Sequence, residues 1–411
     1  MILKDVVKKI KPGKSLLGTA DKVVSLICEK LEKKGIKASP VIGGSLAKGT
    51  NLKGDFDIDI FVRFHMSYKN KNLSDILEPI LKIFKPARVH GSRDYFQFKY
   101  KGAHFEIVPV IDIKKSSRAL NVTDVSPLHA IWVKKNIKNL SDHVRLAKRF
   151  CKAQGVYGAE SYINGFSGYI LEILVIHYGG FTKLLKAVSK WKPEQVIDTA
   201  NYYSSKKQVF KKLNKSKLDS PLIVIDPVQK NRNAAAALNL ETFSKFVLAA
   251  RRYLQKPSNI FFDKSIFSIT SLKEKSKSYD VDLILVKINP LNGKEDVVGS
   301  KILKVYNYFK KQFILSEFSI MDSGWNWNDK VHLWFLTYPK LLPKYKKHSG
   351  PLVYSSDFHV KKFLSKHKRT IVGESRIFAI TKRIFRKPKD LAKNLIKEAY
   401  VKEKVKTIKL E

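Results

Sequence analysis

The sequence predicts an α+β protein. Strict alternation in DFDIDIFVRF, residues 55 to 64, marks a strand with Phe56, Ile58, Ile60, Val62 and Phe64 on one face. YFQFKY and AHFEIVPVIDI, joined at Lys101-Gly102, read as a hairpin. The period turns helical from about residue 126 and mixes again after Pro257.

Taken in order, residues 14 to 35 form an amphipathic helix with Leu16, Ala20, Val23, Ile27 and Leu31 on one face, and Gly35 closes it. PVIGGSL is a short strand entering a glycine turn. The alternating strand follows, then a helix around Ile76, Leu77, Ile80, Leu81 and Phe84, then the hairpin. SDHVRLAKRFCKAQG is a helix capped by Ser141 and stopped at Gly155. Further helical runs cover 166–191 and ETFSKFVLAARRYLQ, while KKQVFKKLNKSKLDS is a solvated charge run. Beyond Pro257, VDLILVKI and VHLWFLTY are strands and VVGSKILKVYNYFKKQ is a helix. The expected domains are 1–125, 126–256 and 257–411.

Composition narrows the partners. The 411 residues include 79 Lys and Arg against 36 Asp and Glu, a formal charge of +43. Such a field attracts polyanions, and nucleic acid leads. A membrane surface is disfavoured, because no basic helix shows an exposed apolar face and no lipidation motif is present. GFSGYILEILVIHYGGF is too short, and too interrupted by Glu172 and His177, to span a bilayer. MILKDVVKKIKPGK turns polar at once, unlike a secretory leader. Two distant cysteines, Cys28 and Cys151, make neither a disulfide framework nor a zinc site, so a cytoplasmic location is expected.

Against this charge, Asp55, Asp57 and Asp59 fall within five residues. Asp57 and Asp59, two apart on a strand, point the same way at roughly 7 Å spacing. Like charges so placed repel unless a cation sits between them, and Mg²⁺ favours such oxygen ligands shared with substrate phosphates. Glu106, a lone acid in HFEIVPV, is the candidate third carboxylate, with Asp112 beyond Pro109 as the fallback. Two metals held there would activate an attacking hydroxyl and stabilise departing pyrophosphate. Twelve residues before Asp57, the Gly43-Gly44-Ser45 turn offers backbone N–H groups and the Ser45 hydroxyl to phosphate, and Lys48 adds charge. Asp55 reads as a turn residue.

Gly-Gly-Ser, then D-x-D, then an isolated acidic strand resembles the DNA polymerase β-like nucleotidyltransferase superfamily. TDVSPLHAIWV, HVRLAKRFCKAQGVYGAESYINGFSGYILEILVIHYGGF, VIDPVQKNRNAAAALN and HVKKFLSKHK are similar, in order, to blocks of the archaeal, class I CCA-adding tRNA nucleotidyltransferases. The resemblance covers nearly the whole chain. It implies a polymerase β-like catalytic head, a helical neck that selects the nucleotide, and an α+β body with a basic tail that grips tRNA. It implies that Asp57, Asp59 and Glu106 hold two Mg²⁺ ions, and that Ser45 and Lys48 hold the triphosphate. His129, Lys148 and Tyr157 match further nucleotide contacts, and Arg232 matches an arginine that reads the incoming base, with Asp226 just upstream. The implied reaction adds C, C and A to tRNA 3′ ends from CTP and ATP without a template, in enzymes that are commonly homodimers. Two positions depart from the family pattern: Glu106 stands where Asp is expected, and Lys48 where Arg is expected.

Alternatives from the residues themselves stay open. A CC- or A-only enzyme, a poly(A)- or oligoadenylate-type polymerase, or a non-catalytic RNA-binding protein would share many of these features. Trp325 and Trp327 would stack on RNA bases or pack a core. Lys361, Lys362, Lys366, Lys368 and Arg369 are candidate phosphate contacts.

Overall fold

A computed structural model describes residues 2–13, 15–264, 267–328, 330–338 and 340–411. The backbone gathers into two units, Met1–Ser265 and Ile266–Glu411.

In the first unit, α1 (Ile2–Ile10) precedes α2 (Ser15–Lys33), β1 (Ala38–Ile42), α3 (Gly44–Ala47) and β2 (Ile58–Phe64). Residue 14 and the Leu16 side chain, expected in the first amphipathic helix, lie outside the described residues. Next come α4 (Leu73–Leu81), β3 (Ala87–Val89), β4 (Tyr95–Tyr100) and β5 (Ala103–Ile111). The five strands order as β1-β2-β5-β4-β3, with β2 and β5 parallel at the centre. Ile58, Ile60, Val62 and Phe64 turn one face of β2 onto Ala20, Val23, Ile27 and Leu31 of α2 and Leu77, Ile80 and Leu81 of α4. Apart from Ala20, each such side chain taken fully from water contributes on the order of 1.5–3 kcal/mol. The expected alternation starts later than the sequence pattern suggested: β2 begins at Ile58, and Asp57 precedes it.

The helices that follow are α5 (Ser126–Asn136), α6 (Ser141–Ala153), α7 (Gly168–Tyr178) and α8 (Phe181–Val188). Two expectations are corrected here. Ser141 is the first helical residue, while Leu140 takes the cap position and makes no side-chain cap. The apolar run 166–191 is broken, because Gly179 adopts φ +71° and Gly180 φ +132°, which helices do not continue through. Then come β6 (Gln195–Asp198), α9 (Lys206–Lys212), α10 (Lys215–Leu218), β7 (Leu222–Ile225) and α11 (Leu240–Gln255). β6 and β7 form a parallel pair that the short apolar runs did not announce. Phe150 centres this core among Phe181, Phe246, Tyr253 and Phe262.

The second unit comprises α12 (Ile269–Ser278), β8 (Asp282–Asn289), α13 (Glu295–Leu315), β9 (Ser319–Trp327) and β10 (Val331–Tyr338). After β11 (Tyr345–Leu352), α14 (Asp357–Lys366), β12 (Thr370–Gly373) and β13 (Arg376–Lys382), the chain returns through α15 (Pro388–Leu395) to β14 (Thr407–Leu410). Sheet order β14-β8-β10-β9 with helices α13 and α15 is the split β-α-β plan of ferredoxin-like domains. The segment β11 to β13 is an insertion between β10 and α15 with its own sheet, ordered β11-β13-β12. Trp325 and Trp327 pack, half-buried, against the core of Phe309, Phe313 and Phe335. Lys361, Lys362, Lys366, Lys368 and Arg369 are all exposed in the insertion.

One buried acid anchors the strand that carries Glu106. Asp124, fully buried, pairs with Arg93 and accepts from the Ile111, Leu120 and Asn121 amides at 2.9, 3.1 and 2.9 Å. Asp124→Ala strands the guanidinium and three amides, so chemical denaturation should show a loss of about 3 kcal/mol.

Candidate active site

The site starts with why the turn needs two glycines. The Gly43 amide donates to the Asp59 carbonyl at 2.8 Å, laying the turn against β2. A Cβ on Gly43 would sit 2.3 Å from the Phe61 ring. Gly44 adopts φ +54°, and a Cβ there would lie 1.5 Å from Asp59 Oδ2. The turn therefore cradles the carboxylate itself. Ser45 follows in α3, and Lys48 takes the position that ends it.

The parallel register of β2 and β5 places Asp59 directly opposite Glu106. Neighbouring strands lie about 4.8 Å apart, so two acids share one rung. Gln97 Nε2 donates to Glu106 Oε1 at 2.5 Å. Burial, then repulsion from Glu106 and Asp57, push the Asp59 carboxyl up to about 7, although the Lys48 and Lys148 charges pull the other way. Among the described residues no three acidic, histidine or cysteine side chains are drawn into a preformed metal cage. The donor set nonetheless suits a hard divalent cation: it is all oxygen, its members repel one another, and the Gly44 turn leaves Asp59 room on one side. Asp112, the fallback acid, follows β5 and pairs with Arg63 at 3.1 Å.

A cleft of about 560 Å³ is lined by Ser45, Lys48, Asp57, Asp59, Lys148 and Tyr157. The structure thus brings together six of the nine residues singled out from the sequence. Opposite in charge to the acids are the two lysines, gathered on Glu172 of α7. Glu172 is fully buried, with Oε2 2.7 Å from Lys48 Nζ and Oε1 3.0 Å from Lys148 Nζ. Thr50 Oγ1 donates to Glu172 Oε1 at 2.6 Å and accepts from Lys148 Nζ at 3.0 Å. Burial opposes ionisation of Glu172, but the Lys148 and Lys48 charges prevail and hold its carboxyl at about 2. Burial lowers the Lys148 ammonium, with Glu172 resisting. Lys152 stands 4.6 Å over the Tyr157 ring and pairs with Asp55 at 2.9 Å, so the turn residue Asp55 also borders the cleft.

Glu106, His129 and Arg232 are not among the cleft-lining residues. Glu106 reaches the site through its rung with Asp59. His129 Nε2 and Arg232 Nη1 lie 3.0 and 2.5 Å from Oδ2 of Asp226, a fully buried acid. Asp226 Oδ1 accepts from the Val228 amide at 2.8 Å and from the Tyr169 hydroxyl at 3.1 Å. Burial alone would raise the Asp226 carboxyl, yet His129, Val228 and Arg232 hold it at about 2. Tyr169 joins the two clusters. It lines the cleft, its ring stacks on His129 at 4.2 Å, and Lys48 stands 5.9 Å from it.

Three family descriptions match the chain in order: a nucleotidyltransferase domain over residues 22–117, the second domain of tRNA nucleotidyltransferase over 142–263, and the C-terminal domain of the CCA-adding enzyme over 283–408. The CCA-adding enzyme of Nanoarchaeum equitans is 38% identical over 392 residues, covering 94% of each chain. That of Methanocaldococcus jannaschii is 32% identical, covering 96% of this chain and 90% of the other. The chain belongs to the CCA-adding enzyme family. A cytoplasmic RNA terminal U-transferase shares the fold at TM-score 0.51 and 14% identity, over 64% of this chain and 98% of that one. As a member of the CCA-adding enzyme family the chain is a nucleotidyltransferase, and its α+β architecture agrees with such neighbours.

Glu172, Thr50 and Tyr169 belong to the site without having been singled out in the sequence. Glu172 was visible only as an acid interrupting an apolar helix, and that is the signal: a carboxylate amid Ile, Leu and Val must be paired. Thr50 and Tyr169 carry no comparable pattern.

The Asp59 carboxyl predicts a pH dependence of stability in metal-free protein. Held at about 7 against an ordinary 3.8, it imposes no cost below pH 4. The cost grows as pH rises to 7 and then levels. Thermal melts in chelator should fall across that window, and Asp59→Asn should remove this part of the slope, gaining on the order of 1–3 kcal/mol at pH 8.

Proposed function

We propose that the chain adds C, C and A to the 3′ end of tRNA, using CTP and ATP with Mg²⁺ and releasing pyrophosphate. The observation that carries this is the Asp59–Glu106 rung, cradled by Gly44, opening onto a cleft whose other side is a lysine pair. One side suits divalent metal and the other a polyphosphate, the two things nucleotidyl transfer must hold at once.

Asp57, Asp59 and Glu106 are assigned as the metal ligands. Bound Mg²⁺ would make the 3′ hydroxyl easier to ionise and stabilise the charge on departing pyrophosphate. Ser45, Lys48, Lys148 and Tyr157 hold the triphosphate in line. The 3′ oxygen bonds to the α-phosphorus and gives up its proton to solvent, while the bond from that phosphorus to the bridging oxygen of pyrophosphate breaks and its electron pair leaves with the pyrophosphate. Arg232, held by Asp226, is assigned to the incoming base and His129 to a phosphate, with Tyr169 tying both to the cleft. Glu106 is one methylene longer than Asp, and Gln97 steadies its carboxylate. Lys48 keeps the charge of the family's Arg without its bidentate fork. The +43 charge and the exposed lysines of α14 suit the backbone of a tRNA arm, recognised by shape rather than sequence.

Asp59→Ala is the direct test of the assignment. tRNA affinity, measured by filter binding, should stay within about twofold, while nucleotide addition falls by at least ~10³-fold, as expected when a metal ligand is removed. Normal turnover in that variant would refute the placement of the site.

A further inference from the structure

Resting on the nucleotide site proposed above, we infer that Glu172 is a positioning residue for the triphosphate: a buried anion that holds Lys48 and Lys148 side by side and aimed before the nucleotide arrives.

A carboxylate with no solvent exposure is costly unless its charge is fully met. Here it is met by three groups from two parts of the first unit: Lys48 at the end of α3 with Thr50 two residues on, and Lys148 of α6. Lys148, 4% exposed, is buried almost as completely. An ammonium so buried and without a counter-ion would shed its proton. Two ammonium groups beside one another would also repel. Glu172 removes both difficulties, and Thr50 fixes the geometry by donating to the carboxylate and accepting from Lys148. Lys148 Nζ also donates to the Thr50 carbonyl at 3.3 Å.

The acceptors divide the work between the lysines. Lys148 is held by Glu172 and by both oxygens of Thr50. Lys48 lies nearer solvent, with its side chain 11% exposed against 5% for Lys148. Lys48 is therefore the cation that turns to an arriving phosphate, while Lys148 stays as the fixed charge behind it. A preset lysine pair removes an ordering cost that would otherwise be charged to nucleotide binding. Gly168 belongs to the same device: a Cβ there would lie 3.0 Å from the Tyr157 hydroxyl and 3.3 Å from Lys148 Cε.

The test uses the full chain, with CTP affinity measured by calorimetry in Mg²⁺ and tRNA affinity by filter binding. Wild-type protein that binds tRNA but neither binds nor incorporates CTP would overturn the nucleotide site itself. With that site working, Glu172→Gln should weaken CTP on the order of 10–100-fold through lost preorganisation, with tRNA affinity within about twofold. Thr50→Val, which leaves every charge in place, should weaken CTP in the same direction by a smaller factor, and Thr50→Ser should restore it. In a Lys48→Met, Lys148→Met background, Glu172→Gln should cause no further weakening, since it acts only through those lysines. An unchanged CTP affinity in Glu172→Gln, or the same fold loss with the lysines removed, overturns the proposal. So does an equal loss of CTP and tRNA affinity in both Glu172→Gln and Thr50→Val, which is the mark of a merely structural role.

Discussion

Two carboxylates on one rung of a parallel strand pair are the constraint around which the first unit is arranged. Asp59 and Glu106 face each other across that rung, and burial together with the charge of Glu106 works against ionisation of Asp59. The surroundings answer this rather than relieve it. Gly44 gives up a side chain so that the turn can cradle Asp59, and Gly43 gives up one to lie on Phe61. Lys48 and Lys148 pull the carboxyl back toward ionisation without pairing with it, because their partner is Glu172. An acid rung on one side and a lysine pair on the other make an arrangement suited to a cation and a polyanion together.

The cleft is built from two kinds of structure in the same unit. The sheet and α3 supply the acids and the glycine turn, and the helices α6 and α7 supply Lys148, Tyr169 and Glu172. The contacts that join them include hydrogen bonds from charged donors: Arg145 of α6 donates to the Gly49 and Asn51 carbonyls at 2.6 and 2.9 Å, and Lys148 reaches Thr50. Backbone carbonyls of the 49–51 loop are thereby spent on α6. The loop between α3 and β2 is held in place although it has little regular structure. A second layer, His129, Arg232 and Tyr169 around Asp226, is tied to the first through the Tyr169 ring and its hydroxyl.

Much of this was legible in the sequence where a side chain's chemistry conflicts with its surroundings. Alternation revealed β2 and the hairpin, and Asp57, Asp59 and Glu106 stood out as acids within or just before apolar strands of a basic chain. Positions governed by long-range packing were not legible. Period alone cannot say that 166–191 breaks at Gly179, since the apolar pattern continues on both sides. A four-residue parallel pair such as β6 and β7 depends on partners 27 residues apart. Ser141 reads as a cap but serves as the first helical residue, with Leu140 before it. Glu172 could be recognised as a buried acid in need of partners, but Lys48 and Thr50 lie more than 120 residues away.

The most direct measurement of the reaction is extension of three tRNA transcripts, ending before CCA, after C and after CC. Each is incubated with the protein, Mg²⁺ and labelled CTP, ATP, UTP or GTP, singly and together, and resolved on a sequencing gel. Two C and one A, followed by arrest, is the expected product, and it would show that a site built with Glu106 and Lys48 supports the reaction. Long A tails, addition of C or A alone, or tight tRNA binding with no extension would contradict CCA addition.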